Sequence, residues 1–271
     1  MFFLEQSREQ GSTRPFDLRD RGLLLADGIF DTSLIVQGDM ILREAHVDRL
    51  IADATALGIV ISRQKINNLI DQTLTEDHHG VLRITVTSGP AERWGMNTQR
   101  IQPTVLLNFS ALNVKYESRP ISLQVTSIQR NSTSITSRHK TLAYTDNIAA
   151  FRAARDEGYD DALFLNNCGN ICCTTTGNIF LNFGKYWATA PTSEGVLPGV
   201  MRQWVMEIAS SIGIELKVMR IPEINLKFVE SAFITNSVRL VTPISKINEL
   251  ELQPQLPTGL EHNVMKLIEV K

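Results

Sequence analysis

Apolar residues recur at two different periods along this chain, and the switches between them lay out its elements. From Phe30 to Val36 the residues Phe30, Thr32, Leu34 and Val36 fall on one side, the two-residue repeat of a half-buried strand. Gln37-Gly38 then offers a turn into Met40-Ile41-Leu42, which predicts a hairpin. Residues 44–57 change to helical spacing, with Val47, Leu50, Ile51, Ala54 and Leu57 on one face and Gly58 as the stop. A second helix, 63–74, carries Ile66, Leu69, Ile70 and Leu74. Segments 81–86 and 104–109 read as strands joined by the loop 88–102, and residues 1–16 as an edge strand or irregular lead-in.

The polar, proline-ended run 113–120 (NVKYESRP) is the candidate linker between two regions, 1–112 and 121–271. Beyond it, 121–128 alternates as a strand, and a Ser/Thr-rich stretch leads to Lys140. Asp146 or Asn147 can cap the next helix, whose apolar positions Ile148, Phe151 and Ala154 share a face and which Gly158 ends. Residues 162–165 read as a buried strand and 166–170 as a turn, with a returning strand from Ile171 through Asn178-Ile179-Phe180. A hairpin through Phe183-Gly184-Lys185 follows. Leu197-Pro198-Gly199 then opens a helix that runs to Ser211 and stops at Gly213. Strands at 215–220, 232–235 and 241–244, a short helix at 226–230 and an amphipathic helix over 259–270 complete the chain. Strands and helices do not alternate strictly, so the fold class is α+β.

Composition removes several classes of function. With 271 residues, 43% of them hydrophobic and 21% charged, the chain buries an ample core. A net charge of −2 supplies no basic field for nucleic acid or an anionic membrane. No run of about 18 apolar residues spans a bilayer, and the N-terminus lacks the basic flank of a secretory signal, so a cytoplasmic protein is expected. The three cysteines, Cys168, Cys172 and Cys173, lack zinc-ligand spacing and are expected to be free, buried thiols. Neighbouring Cys172 and Cys173 would face opposite sides of a strand.

Two features carry candidate chemistry. Lys140 stands just before a helix–strand unit, on scaffold rather than on a loose loop. Gly199-Val200-Met201 follows Pro198 at a helix N-terminus, where unpaired N–H groups and the helix dipole attract an anion.

Several motifs stand in order along the chain: Asp20-Arg21-Gly22 through Asp27-Gly28-Ile29-Phe30, His46-Val47-Asp48-Arg49-Leu50, His139-Lys140-Thr141-Leu142, the stretch 169–180, and Leu197-Pro198-Gly199-Val200-Met201-Arg202. Together they resemble the fold-type IV pyridoxal-phosphate enzymes, which include branched-chain and D-amino-acid aminotransferases and aminodeoxychorismate lyases. The resemblance covers nearly the whole chain. It implies a small N-terminal α/β domain, a larger C-terminal domain on a barrel-like sheet, pyridoxal 5′-phosphate between them, and a homodimer. Lys140 would be the Schiff-base lysine and would also move a proton at the substrate carbon. Gly199, Val200 and Met201, with Arg49 and with Asn236 and Ser237, would hold the phosphate; where the family usually has a threonine, this chain has Ser237.

The resemblance also places Cys173 where the family carries a glutamate against the pyridine nitrogen. A charge-assisted bond of that kind is worth on the order of 1.5–3 kcal/mol, and a buried thiol donates weakly. A poorer electron sink is therefore expected. That favours the lyase reaction, which splits 4-amino-4-deoxychorismate into 4-aminobenzoate and pyruvate and gains an aromatic ring. An aminotransferase of D-amino or branched-chain amino acids is the alternative, and a cofactor-binding protein with impaired catalysis the third reading. Tyr144 is a candidate donor near the ring oxygen or a packed tyrosine. Arg93 and Trp94, in the loop 88–102, are candidates for a substrate carboxylate and ring.

Overall fold

The computed structural model of the chain describes residues 16–91, 96, 102–112 and 118–269. The predicted loop residues Arg93 and Trp94, and 113–117 of the candidate linker, lie outside the described residues.

The first region holds α1 (Arg21–Leu25), β1 (Gly28–Val36), β2 (Asp39–Met40), α2 (Arg43–Ala56), α3 (Arg63–Thr73), β3 (Gly80–Thr87) and β4 (Thr104–Ala111). The strands form one antiparallel sheet in the order β2-β1-β3-β4. The predicted turn at Gln37-Gly38 is present, with both residues at positive φ (49° and 80°), as a tight hairpin of this hand requires. Apolar faces of α2 and α3 close over this sheet, burying Val47, Leu50, Ala54, Ile66 and Ile70 against Ile29, Leu82, Ile84 and Val86. Gly58 sits just past α2 at φ 73°, the left-handed stop expected of a glycine there.

The second region holds β5 (Ile121–Val125), α4 (Ile135–Arg138), α5 (Thr145–Asp156), β6 (Asp161–Leu165), β7 (Ile171–Thr174), β8 (Asn178–Asn182), β9 (Trp187–Thr189), α6 (Val200–Ile208), β10 (Leu216–Val218), β11 (Ser231–Asn236), β12 (Leu240–Ile247), β13 (Leu250–Glu251) and α7 (Leu260–Ile268). Six of these strands run in the order β8-β11-β12-β5-β6-β7, and the pairing of β7 with β8 closes them into a barrel. Leu123, Leu163, Ile179, Leu181, Ala232, Ile234 and Ile244 form a buried cluster on its strands. Mixed helices and sheets with a closed barrel make this the α+β architecture expected.

Several expected elements differ in detail. The strand from Ile171 breaks at a tight turn, where Thr174 N donates to Gly177 O (2.9 Å) and Gly177 N to Thr174 Oγ1 (3.1 Å). That break turns Thr175 and Thr176 toward a cavity. Neither Asp146 nor Asn147 caps α5, which starts at Thr145 with Tyr144 in the capping position. Asn147 instead donates from Nδ2 to Thr175 O (2.6 Å) and accepts from Arg130 Nη1 (3.0 Å). The buried stripe of α5 is Asn147, Ala150 and Ala154, while Ile148 and Phe151 are exposed at the cavity. The helix expected at 226–230 is a 3-10 turn over Glu223–Phe228. All three cysteines are free, but Cys168 is exposed rather than buried.

The two regions meet along the segment that carries Lys140. Phe30 N donates to Lys140 O (2.8 Å) and Leu142 N to Gly28 O (2.9 Å), so this segment pairs with the open start of β1. From α2, buried Asp53 bonds His139 Nδ1 (2.6 Å) through Oδ1 and accepts from Lys140 N (3.0 Å) through Oδ2. One carboxylate thus ties the helix of the first region to the backbone of the second. Asp53→Ala should lower stability by about 2 kcal/mol, because it leaves two part-buried donors without their acceptor. Asp53→Asn, which keeps the shape and one acceptor, should lose about half as much. Urea unfolding midpoints of the three proteins measure both.

Candidate active site

A cavity of about 710 Å³ opens between the first sheet and the barrel, large enough for a cofactor and a small substrate. Lys140, Arg49, Tyr144, Cys173, Gly199, Val200, Met201, Asn236 and Ser237 all lie on its wall. Sequence reasoning missed Arg83, Arg130, Asp161, Thr235 and Arg239, which line it too. Arg83 had a usable signal, since a charge in the middle of Val81-Leu82-Arg83-Ile84 falls on the face opposite the buried Leu82 and Ile84.

Lys140 sits deep in the cavity, with Nζ 4.3 Å from the centroid of the Phe30 ring and 5.6 Å from that of Tyr144. Burial lowers its pKa from 10.5 to about 8, helped by the Arg49 and Arg83 cations and opposed by Asp31 and Asp53. Roughly a tenth of it is the free, nucleophilic amine at pH 7, against well under a thousandth for an exposed lysine.

Arg49 reaches the wall from α2 along a braced path. Its Nε and Nη2 donate to Asp31 Oδ2 at 2.9 and 2.7 Å, and His46 Nδ1 meets Asp31 Oδ1 at 2.6 Å. Burial alone would raise the Asp31 pKa, but these two partners outweigh it and hold the carboxyl down at about 2. Asp31 therefore stays ionised and keeps Arg49 in place.

The anion end is built from the first turn of α6. Gly199 occupies the N-cap position, and no side chain caps the helix. A Cβ at Gly199 would come within 2.0 Å of Asn178 Oδ1, and Asn178 is itself anchored by Nδ2 to Leu197 O at 2.9 Å. Only glycine leaves this cradle open. Thr235 pairs with Asn178 across the barrel strands. Thr235 Oγ1 and Arg202 Nε are buried on the cavity side with no hydrogen-bond partner among the described residues. Uncapped amides, a hydroxyl and a guanidinium are donors suited to a phosphate. Asn236 Oδ1 accepts from Val238 N (3.0 Å) and Arg239 N (2.7 Å), so it stiffens the turn before β12 and presents Ser237.

The remaining wall is less ordinary. Cys173 is buried, and burial pushes its thiol up, with Arg130 acting against that shift and Asp161 adding to it. Asp161 accepts from Thr175 Oγ1 and from Ala162 N (2.8 Å), and its own pKa is raised by burial. Cys172 turns away, its Sγ donating to Glu194 O at 3.2 Å. At neutral pH the Cys173 position offers a weak S–H donor beside a cation, not a carboxylate. Tyr144 donates to Thr175 O (3.2 Å) and packs edge-on against Phe30, with ring centroids 5.3 Å apart.

One cavity thus holds a lysine whose pKa burial has lowered and an uncapped helix N-terminus suited to an anion. The amino-transferase class IV family model matches residues 28–247, and the chain belongs to that pyridoxal-phosphate-dependent enzyme family. The chain is 29% identical over 244 residues to the aminodeoxychorismate lyase of Bacillus subtilis strain 168, covering 87% of this chain and 83% of the relative. The solved structure of 4-amino-4-deoxychorismate lyase from Pseudomonas aeruginosa matches with a TM-score of 0.85 at 21% identity, covering 94% of this chain and 96% of the other. The branched-chain aminotransferase of Thermoproteus uzoniensis, solved with norvaline, matches at 0.83 and 21%, covering 95% and 88%. These structures share the fold-type IV architecture with this chain.

Lys140 sets a pH dependence with a definite sign. Below about pH 8 it is charged in both folded and unfolded chains, and the folded state bears the cost of burying that charge. Above 10.5 it is neutral in both, and the cost is gone. Lys140→Met should therefore stabilise the cofactor-free protein at pH 7 by about 3 kcal/mol, taking about 1.36 kcal/mol per pH unit. The gain should shrink between pH 8 and 10.5, which paired urea titrations at pH 7 and pH 10 will measure.

Proposed function

We propose that the protein binds pyridoxal 5′-phosphate at Lys140 and removes pyruvate from 4-amino-4-deoxychorismate, leaving 4-aminobenzoate. When bound, the cofactor supplies a reactive aldehyde carbon and a conjugated ring that draws electrons from the carbon bearing the substrate's amine. The amides of Val200 and Met201, with Thr235 and Arg202, would hold its phosphate, and Arg49, held by Asp31, would donate to it from α2. Asn236 and Ser237 belong to the same end of the cavity.

Lys140 Nζ does the proton work. It takes the proton from the substrate carbon that bears nitrogen. The neighbouring C–O bond then breaks, and the proton is returned to the methylene carbon of the departing pyruvate. Asp53 holds the lysine's backbone N–H and the neighbouring His139 ring, so Nζ moves from a fixed base. Arg83 carries a half-buried guanidinium 3.7 Å from the centroid of the Phe30 ring, on the ring that Lys140 also meets, with no ion pair among the described residues. It is the natural anchor for a substrate carboxylate near the reacting carbon. The homodimer expected from the resemblance is part of the same proposal.

The observation that carries the lyase reading over transamination is the protonated thiol of Cys173 beside Arg130. A ring nitrogen facing it gains no proton from a carboxylate, so the cofactor is a weaker electron sink. A reaction pulled forward by forming an aromatic ring tolerates that better than a reversible amine transfer. The fold shared with a branched-chain aminotransferase supports the second reading, amine transfer from a D-amino or branched-chain amino acid. A cofactor binder with little activity is the third.

Incubation with aminodeoxychorismate alone, and separately with amino acids plus 2-oxoglutarate, separates the three. Release of 4-aminobenzoate without an amino donor is expected; keto-acid formation instead would reject the lyase. Neither activity, with borohydride reduction still fixing the cofactor on Lys140 in a peptide map, would leave the binder. Cys173→Glu should red-shift the visible absorbance of the loaded protein and raise its transaminase rate at least several-fold. An unchanged spectrum would show that this side chain does not face the ring nitrogen.

A further inference from the structure

The cavity carries more positive charge than a phosphate and one carboxylate require. Arg49 pairs with Asp31 and is assigned to the phosphate end, and Arg130 bonds Asn147. Of the wall's two carboxyls, Asp160 is held by Ser122 and Arg155, and Asp161 accepts from Thr175 Oγ1 and Ala162 N. Arg202, whose Nη2 donates to Ala190 O, is assigned to the phosphate, and two guanidinium groups remain with neither an anion nor a hydrogen-bonded partner of their side chain among the described residues. One is Arg83, inside the cavity on β3. The other is Arg239, exposed at the end of the turn between β11 and β12.

Arg239 has a fixed base. Asn236 Oδ1 accepts from its backbone N–H at 2.7 Å and from that of Val238 at 3.0 Å, and the next residue, Leu240, is buried at φ 58°. The turn therefore cannot swing freely, and the side chain starts from a defined point on the cavity wall. A solvent-exposed arginine on a floppy loop would be unremarkable; this one stands on a stiffened turn that also forms part of the cavity.

We infer that Arg239 is a specificity-determining residue that binds a second carboxylate, so the site selects dicarboxylic substrates: Arg83 takes the carboxylate near Lys140, and Arg239 the remote one. This deepens the reading above and rests on it for the identity of the substrate, since aminodeoxychorismate carries two carboxylates. The charge preference itself holds for either reaction, because 2-oxoglutarate and glutamate are dicarboxylates too. The discrimination comes from losing a charge-assisted bond when the second carboxylate is missing.

The test uses inert acids on the cofactor-loaded protein, so that binding is read apart from chemistry. Glutarate and valerate share a five-carbon chain and differ by one carboxylate; their dissociation constants are measured by calorimetry in wild type and in Arg239→Gln. Wild type should prefer glutarate about tenfold or more. Arg239→Gln should weaken glutarate about tenfold, leave valerate within twofold, and raise KM for aminodeoxychorismate while kcat changes little. Equal weakening of both acids, or no change in either, overturns the inference. Intact glutarate selectivity in a protein that makes no 4-aminobenzoate would sink the lyase reading and leave this one standing. The far-ultraviolet spectrum and melting point of Arg239→Gln should match wild type, as expected for an exposed side chain.

Discussion

A single buried carboxylate, Asp53, decides where the reactive amine stands. It bonds the His139 ring and the Lys140 backbone together, while the first residues of β1 pair with the same short segment. The lysine is thereby fixed from two sides by a region other than the one that contains it. This matters because a proton-moving amine acts over tenths of an ångström, and a side chain with four rotatable bonds is only as well placed as its Cα. The cavity exists because the first sheet and the barrel are held at this seam.

Charge around the seam is arranged in layers. Asp31 is ionised, pairs with Arg49 and holds His46, so that cation is balanced before anything binds. Beyond it, Lys140 is kept partly deprotonated by burial and by neighbouring guanidinium groups. Cys173 brings a thiol rather than a carboxylate to the wall, and burial raises its pKa and that of Asp161. The result is a cationic cavity in a chain whose net charge is −2. Anions are drawn to a place rather than to the surface at large.

Much of this was legible in the sequence, for identifiable reasons. The hairpin at Gln37-Gly38, the two helices packed on the first sheet and the stop at Gly58 follow from apolar period and glycine placement, which are local properties. Lys140 and the Gly199 turn could be named because their chemistry depends on a short motif. What could not be read depends on distant partners. Asn147 looks like a helix cap until Arg130 and Thr175, far away in sequence, claim its amide. Ile148 and Phe151 look like a core face because apolar spacing does not say whether a helix turns toward packing or toward a cavity. The break between β7 and β8 hides in a run of threonines that suits a strand as well as a turn. Asp31 and Asp53 gave no signal at all, because a buried aspartate is distinguished only by the cations and amides around it.

His46, Arg49 and Asp53 stand at spacings of three and four residues on α2, so they form one stripe along a single rigid rod. His46 and Arg49 grip the two oxygens of Asp31, and Asp53 grips the Lys140 backbone. Such a rod works as a key with three teeth. A slip of one helical turn, or an insertion within it, would disengage all three together. The evolutionary freedom of this helix is correspondingly narrow, with drift confined to its outward face while the toothed edge changes only as a unit.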